Sequence, residues 1–210
     1  MLTVIGSLKG GTGKSTVTFN LGVWLASVGR PVVVFDLDPQ RTVSDVSKVR
    51  TQQGYLPRFQ LIDANDQLAR KLDVLQRVRR EIVIDIGTAD LASMGQAIAR
   101  ADRVLIPVGP SQADVWSTQR FMHLIREACR EREPERLAFI NRADRIGDDT
   151  EDAERALGSI AGLTCLPHRL YYRTAYRTSL SEGLAVFELA PGGEAAREFI
   201  DLAEALYPSR

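Results

Sequence analysis

The 210-residue sequence predicts an α/β protein: a doubly wound, mostly parallel sheet flanked by helices, in one domain spanning 1–210. Three observations lead there. Short apolar, β-branched runs alternate with longer amphipathic segments, the order that βαβ units produce. The runs are nearly continuous rather than alternating, as strands covered on both faces require. A glycine-rich loop joins the first run to the first helix-like segment.

The first strand is expected at 2–6, where Leu2-Thr3-Val4-Ile5 closes on Gly6, and the helix after the loop at 14–28. Pro31-Val-Val-Val-Phe-Asp36 gives a second strand and 42–52 a second helix. A third pair is expected at 58–62 and 65–77. Glu81-Ile-Val-Ile-Asp-Ile86 and Arg103-Val-Leu-Ile-Pro-Val108 are the fourth and fifth strands, with helices at 89–100 and 113–131. Arg136-Leu-Ala-Phe-Ile-Asn141 is the sixth, and a short seventh lies near 163–166. Helices are expected at 150–159, 173–181 and 193–206, and loops at Asp144–Asp149 and Leu166–Tyr172.

Composition excludes several classes. Lys+Arg and Asp+Glu both number 27, so no global basic field draws the chain to nucleic acid, and any such contact needs a local patch. No apolar run approaches the length of a spanning helix, and a strand begins at residue 2 where a signal peptide would lie. Cys129 and Cys165 form no CxxC and read as ordinary thiols of a reducing, cytoplasmic compartment.

The loop Lys9-Gly-Gly-Thr-Gly-Lys-Ser-Thr16 carries the chemistry. Gly10, Gly11 and Gly13 let successive N–H groups converge on phosphate at a helix N-terminus. Gly13-Lys14-Ser15 fits the end of the phosphate-binding pattern, although Leu8 stands where its first glycine belongs. Lys14 is expected at the β- and γ-phosphates, Ser15 on Mg²⁺ and Thr16 near the α-phosphate. Lysine occurs only at 9, 14, 48 and 71, so two of the four lie in this loop. Lys9 is the extra one.

In such sheets the ligand lies beyond the carboxyl ends of the strands. Asp36 and Asp38 end the second strand and alternate, so both can face the phosphates. One can hold Mg²⁺ through water and the other orient the attacking water. Asp85 ends a Val-Ile-Asp run as a Walker B acid does, and the Gly87 N–H behind it can sense a γ-phosphate.

These residues resemble the deviant Walker A ATPases, the ParA/MinD superfamily, over nearly the whole chain. Lys9 to Thr16 resembles its signature loop, and Asp36-Leu-Asp38-Pro-Gln40 its switch I motif. Pro107 to Asp114 resembles the segment after strand five. Arg173-Thr-Ala-Tyr176 with Gly183 and Val186-Phe-Glu188 resembles the stretch near the ParA C-terminus. The resemblance implies an ATP-bound homodimer with Lys9 reaching the phosphates held by the partner, a charge supplied in trans. It implies that Asp38 positions water, that Asp36 and Asp85 are the Mg²⁺-linked acids, and that Asn141 reads adenine under a Pro167–His168 loop. Asp85-Ile-Gly-Thr88 departs from the common Pro-Pro after the Walker B acid. No helix-turn-helix precedes the first strand, so operator recognition is not expected.

Within the superfamily, a MinD-like membrane switch ends in a basic amphipathic helix. Here 194–207 has mostly acidic polar positions, so it is expected to pack within the protein, with no membrane partner. Arg169, Arg173 and Arg177, spaced by four, are expected on one helical face for non-specific DNA. Arg77, Arg79 and Arg80 read as a solvated helix end, and Trp116 with 121–125 as helix core or an adaptor-facing surface. The resulting expectation is a nucleoid-associated partition or positioning ATPase working with a ParB-like adaptor. The alternative is a metabolic or signalling phosphotransferase on the same scaffold.

Overall fold

The computed structural model describes residues 1–63, 68–77, 80–129 and 132–208. Seven strands form one sheet in which every pairing is parallel: β1 (Leu2–Ile5), β2 (Val32–Asp36), β3 (Gln60–Asp63), β4 (Glu81–Asp85), β5 (Arg103–Val108), β6 (Glu135–Ala143) and β7 (Thr164–Tyr171). Their order is β3-β2-β4-β1-β5-β6-β7. The chain works outward from β1 on one side, then crosses to the other after β4. This reversal flanks β1 with β4 and β5, so the loop after β1 emerges at the switch point where such sheets bind ligands.

Successive side chains of these strands feed two cores, as the period of two demands. Leu2, Val4, Phe35, Ile82, Ile84, Val104 and Ile106 face one layer, made by α3 (Leu68–Gln76), α4 (Leu91–Ile98), α5 (Gln112–Ala128) and α6 (Asp149–Gly158). Ile5, Val34, Val83 and Leu105 face the other, made by α1 (Lys14–Ser27), α2 (Thr42–Gln52), α7 (Thr174–Glu182), α8 (Val186–Leu189) and α9 (Glu194–Leu206). Helix α1 is buried from Val17 to Leu25, which explains why its sequence is apolar on nearly every side.

The apolar face of α9 (Ala195, Ala196, Phe199, Leu202, Ala203 and Leu206) is buried inside the protein, as expected for a packing helix. After it, Tyr207 closes the amino-terminal edge of the sheet. Its hydroxyl shares a 2.7 Å hydrogen bond with Thr3 Oγ1, and the Arg30 and Arg103 guanidinium groups lie 5.7 and 5.6 Å from its ring centroid.

Three expectations need correction. Leu166–Tyr172 is not a loop: β7 runs to Tyr171, pairing Ile140 with Arg169 and Asn141 with Leu170 across register shifts. Pro167 escapes the usual strand penalty because β7 is an edge strand. Helix α8, four residues long, was not expected. Trp116 is not core: it is 53% exposed, whereas Phe121, Met122 and Ile125 are buried. Residues 65–67 of the expected third helix, 130–131 of the fifth, and Arg79 lie outside the described residues.

Candidate functional site

A cleft of about 580 Å³ opens at the carboxyl ends of β1, β2, β4, β6 and β7. Gly10, Gly11, Gly13, Lys14, Ser15 and Thr16 line one end, Asp38, Pro39 and Gln40 one wall, and Asn141 with Arg142 another. Gly11 and Gly13 both have left-handed backbones, with φ of 75° and 90°. Gly13 caps α1, and a Cβ there would stand 2.2 Å from Asn141 Nδ2, so any side chain would displace the Asn141 amide from the loop. The same Asn141 nitrogen donates to Thr12 O at 2.6 Å. Asn141 therefore braces the phosphate loop, a role the sequence reading did not give it.

Lys14 is buried, with Nζ 3.4 Å from Ser7 Oγ and 3.3 Å from Lys9 O. Burial holds its pKa below the ordinary lysine value, against the pull of Asp85 and Asp38. Asp36 and Asp85 are fully buried and lie opposite one another in the β2–β4 register. Asp85 accepts from Ser15 Oγ at 2.7 Å and Thr18 Oγ1 at 3.1 Å; Asp36 accepts from Ser44 Oγ at 2.7 Å and Ser44 N at 2.8 Å. Burial, with Asp36 alongside, pushes the Asp85 carboxyl up to about 7 despite those hydrogen bonds. Two enclosed carboxylates beside one enclosed ammonium and a serine hydroxyl suit a hard divalent cation. Among the described residues no three His, Cys, Asp or Glu side chains cluster as a self-sufficient metal cage. A cation here would therefore share its oxygens with Ser15 and a phosphate, as Mg²⁺ does.

Asp38 lies higher, half-buried in the cleft wall, its Oδ1 accepting from Gln40 N at 2.9 Å. The second acidic loop touches it: a Cβ on Gly87 would meet Asp38 Cγ and Pro39 Cδ, each at 2.9 Å. Glycine at 87 thus lets the segment after β4 lie against Asp38.

Lys9 does not line the cleft. Its ammonium is held at 2.8 Å by Asp114 Oδ2, and Asp114 also takes a short hydrogen bond from Ser111 Oγ. Ser111 caps α5, accepting from Asp114 N. The Ser-x-x-Asp spacing of a helix start was the available signal for this corner, but nothing in the sequence tied it to Lys9.

The arginine expectation needs correction. Arg169 belongs to β7, so Arg169, Arg173 and Arg177 share no helical face. Arg169 pairs with Glu154 at 2.6 Å and Glu151 at 2.8 Å; Arg173 pairs with Glu194 at 2.6 Å and with Glu198. Arg177 lines the cleft. Pro167 and His168, expected over a base, sit within β7 and do not line the cleft; Tyr171, Tyr172 and Tyr176 do. Sequence reasoning gave no site role to Arg142 and Tyr172, which line the cleft, or to Thr18 and Ser44, which donate to Asp85 and Asp36.

The model of the CobQ/CobB/MinD/ParA nucleotide-binding domain matches residues 3–186. The chain belongs to that family. Among curated members it is 27% identical over 200 residues to the maintenance of carboxysome distribution protein A of Halothiobacillus neapolitanus, covering 94% of this chain and 91% of that one. It is 33% identical over 129 residues to protein ParA of Rhizobium radiobacter, covering 60% and 56%. Among solved structures, apo McdA of Cyanthece superposes with a TM-score of 0.79 at 22% identity, covering 98% of both chains. MinD of Pyrococcus horikoshii OT3, complexed with Mg-ADP, superposes with 0.77 at 22% identity, covering 99% of this chain and 96% of that one. The all-parallel sheet flanked by helices is thus that of the MinD/ParA fold.

Proposed function

We propose that this chain is an ATPase that dimerises around Mg²⁺ and ATP and partitions or positions a cargo. The observation that carries the reading is the division of labour between two lysines of one loop. Lys14 is built into the cleft, while Lys9 lies outside it on Asp114, within reach of exchange for another anion. Glycine N–H groups 10, 11 and 13 and the start of α1 bind the phosphates, with Lys14 against the β- and γ-oxygens and Thr16 near the α-phosphate. Ser15, Asp36 and Asp85 hold Mg²⁺, which when bound neutralises charge on the phosphate oxygens. Asp38 orients the water that displaces ADP from the γ-phosphoryl group, and Lys9 of the second copy stabilises the charge that develops there. Hydrolysis then waits on dimerisation, because one chain alone lacks that charge.

The positioning role draws support from the printed roles of its relatives, carboxysome distribution and, over 46 residues at 44% identity, the chromosome-partitioning ATPase Soj of Thermus thermophilus. Non-specific DNA binding in the ATP state, nucleoid association in the cytoplasm and a ParB-like adaptor that stimulates hydrolysis complete the proposal. They rest on family resemblance, since Arg169 and Arg173 are already matched by carboxylates.

Gel filtration and DNA-binding measurements with Asp38→Ala test it. With ATP and Mg²⁺ this hydrolysis-blocked variant should elute as a dimer and retain duplex DNA of arbitrary sequence; with ADP it should do neither. A monomer that ignores DNA under both conditions would overturn the reading.

A further inference from the structure

The loop end of the cleft is lined by glycines, Lys14, Ser15 and Thr16, but the far end has a different character. There Tyr171, Tyr172, Tyr176 and Leu180 gather. Tyr172 is anomalous among them, a large ring left 65% exposed inside a concavity. Its backbone is fixed, the N–H donating to Ala143 O at 3.1 Å. Its ring is fixed too: the Arg142 guanidinium lies 5.3 Å from the centroid, within cation–π range. Arg142 is itself immobilised, with a left-handed backbone (φ 60°) and Nη1 donating to Gly11 O at 2.7 Å. One tether therefore runs from the phosphate loop through Arg142 to an open aromatic face.

We infer that Tyr172 is the platform on which the nucleotide base stacks, with Arg142 holding that platform in register with the phosphate loop. The inference rests on the nucleotide reading above and adds the residue that receives the base. Every base offers a π face, and stacking on an aromatic ring contributes about 1–3 kcal/mol per base. One N–H of the Asn141 amide is engaged by Thr12 O. An open aromatic face suits a purine nucleoside triphosphate through its larger ring area.

Calorimetric titration of the full chain with MgATP, MgADP and magnesium tripolyphosphate tests this. Tyr172→Ala should weaken MgATP and MgADP by the same factor, about tenfold, and leave tripolyphosphate binding unchanged, because only the first two carry a base. Tyr172→Phe should bind all three within about twofold of the parent, since the ring and not the hydroxyl stacks. Parent-like MgATP affinity in Tyr172→Ala would overturn the inference. An equal loss of tripolyphosphate would overturn it as well, making the ring a prop for the phosphate loop. If the parent binds tripolyphosphate but gains nothing from the base, the platform fails while the phosphate site stands. If it binds none of the three, the nucleotide reading falls and takes this inference with it.

Discussion

The two edges of the sheet bury charge in opposite ways. At the amino-terminal edge the buried Tyr207 and Arg103 meet complements: Tyr207 meets Thr3, and Arg103 donates to Leu206 O at 2.6 Å and to Glu135 at 2.8 Å, while half-buried Asp102 accepts from Leu2 N at 2.7 Å. At the carboxyl-terminal edge Asp36, Asp85 and Lys14 are equally enclosed, yet Asp85 is pushed up to about 7 and Lys14 is held low. Satisfied burial fastens the fold, whereas unbalanced burial stores a demand for a ligand. The lesson is that depth alone does not mark a site. What marks it is a buried group whose ordinary charge state its neighbours fail to support.

Breaking each edge should therefore hurt a different property. The largest effect belongs to Tyr207→Ala, which empties a fully enclosed aromatic position and should cost roughly 3–5 kcal/mol by urea denaturation. Nucleotide affinity of the folded fraction should stay at the parent level. Lys14→Ala does the reverse: nucleotide affinity should fall at least about a hundredfold by calorimetry, roughly 2.7 kcal/mol. Its apo melting temperature should fall less than that of Tyr207→Ala, because the two long hydrogen bonds lost are offset by removing an enclosed ammonium that burial disfavours.

Lys9→Ala sharpens the contrast within one loop. It should bind nucleotide within a few-fold of the parent and lose steady-state hydrolysis. An unchanged hydrolysis rate would argue against a charge supplied in trans. The smallest effect is a pH dependence. The folded Asp85 carboxyl titrates near 7, above the 3.8 of an unperturbed aspartate, so folding favours its neutral form. The stability that neutral form contributes is complete below about pH 4 and is lost as pH rises through 7. Asp85→Asn should accordingly raise the melting temperature of the ligand-free protein more at pH 8 than at pH 5. Equal gains at both pH values would contradict the assignment.

Much of this was legible before any coordinates. Continuous apolar runs identified the parallel strands because two covered faces leave no polar side to alternate with. The phosphate loop was legible because its chemistry is local, contained in eight adjacent residues. What escaped was non-local or depended on a boundary. The partner of Lys9 lies 105 positions away, and the partner of the Thr12 carbonyl is Asn141 on another strand. The arginine stripe failed because spacing by four implies a shared face only within a continuous helix. There β7 ends at Tyr171, between Arg169 and Arg173, so the first of the two steps crosses from strand to helix. Pro167 read as a loop signal because sequence does not announce which strand will lie at an edge.

The position of β1 has a further consequence, in time rather than in space. Residues 2–5 take their neighbours from 82–85 and 103–105. A growing chain emerges from its amino end, so this strand has no parallel partner until β4, about 80 residues later, has been made. Contacts that close such long loops are slow to form. The loop after β1 is synthesised well before its walls, and Asn141, which braces it, arrives later still. A nascent chain therefore gains its ligand site only when most of the sheet is in place, which ties nucleotide capture to a nearly complete fold.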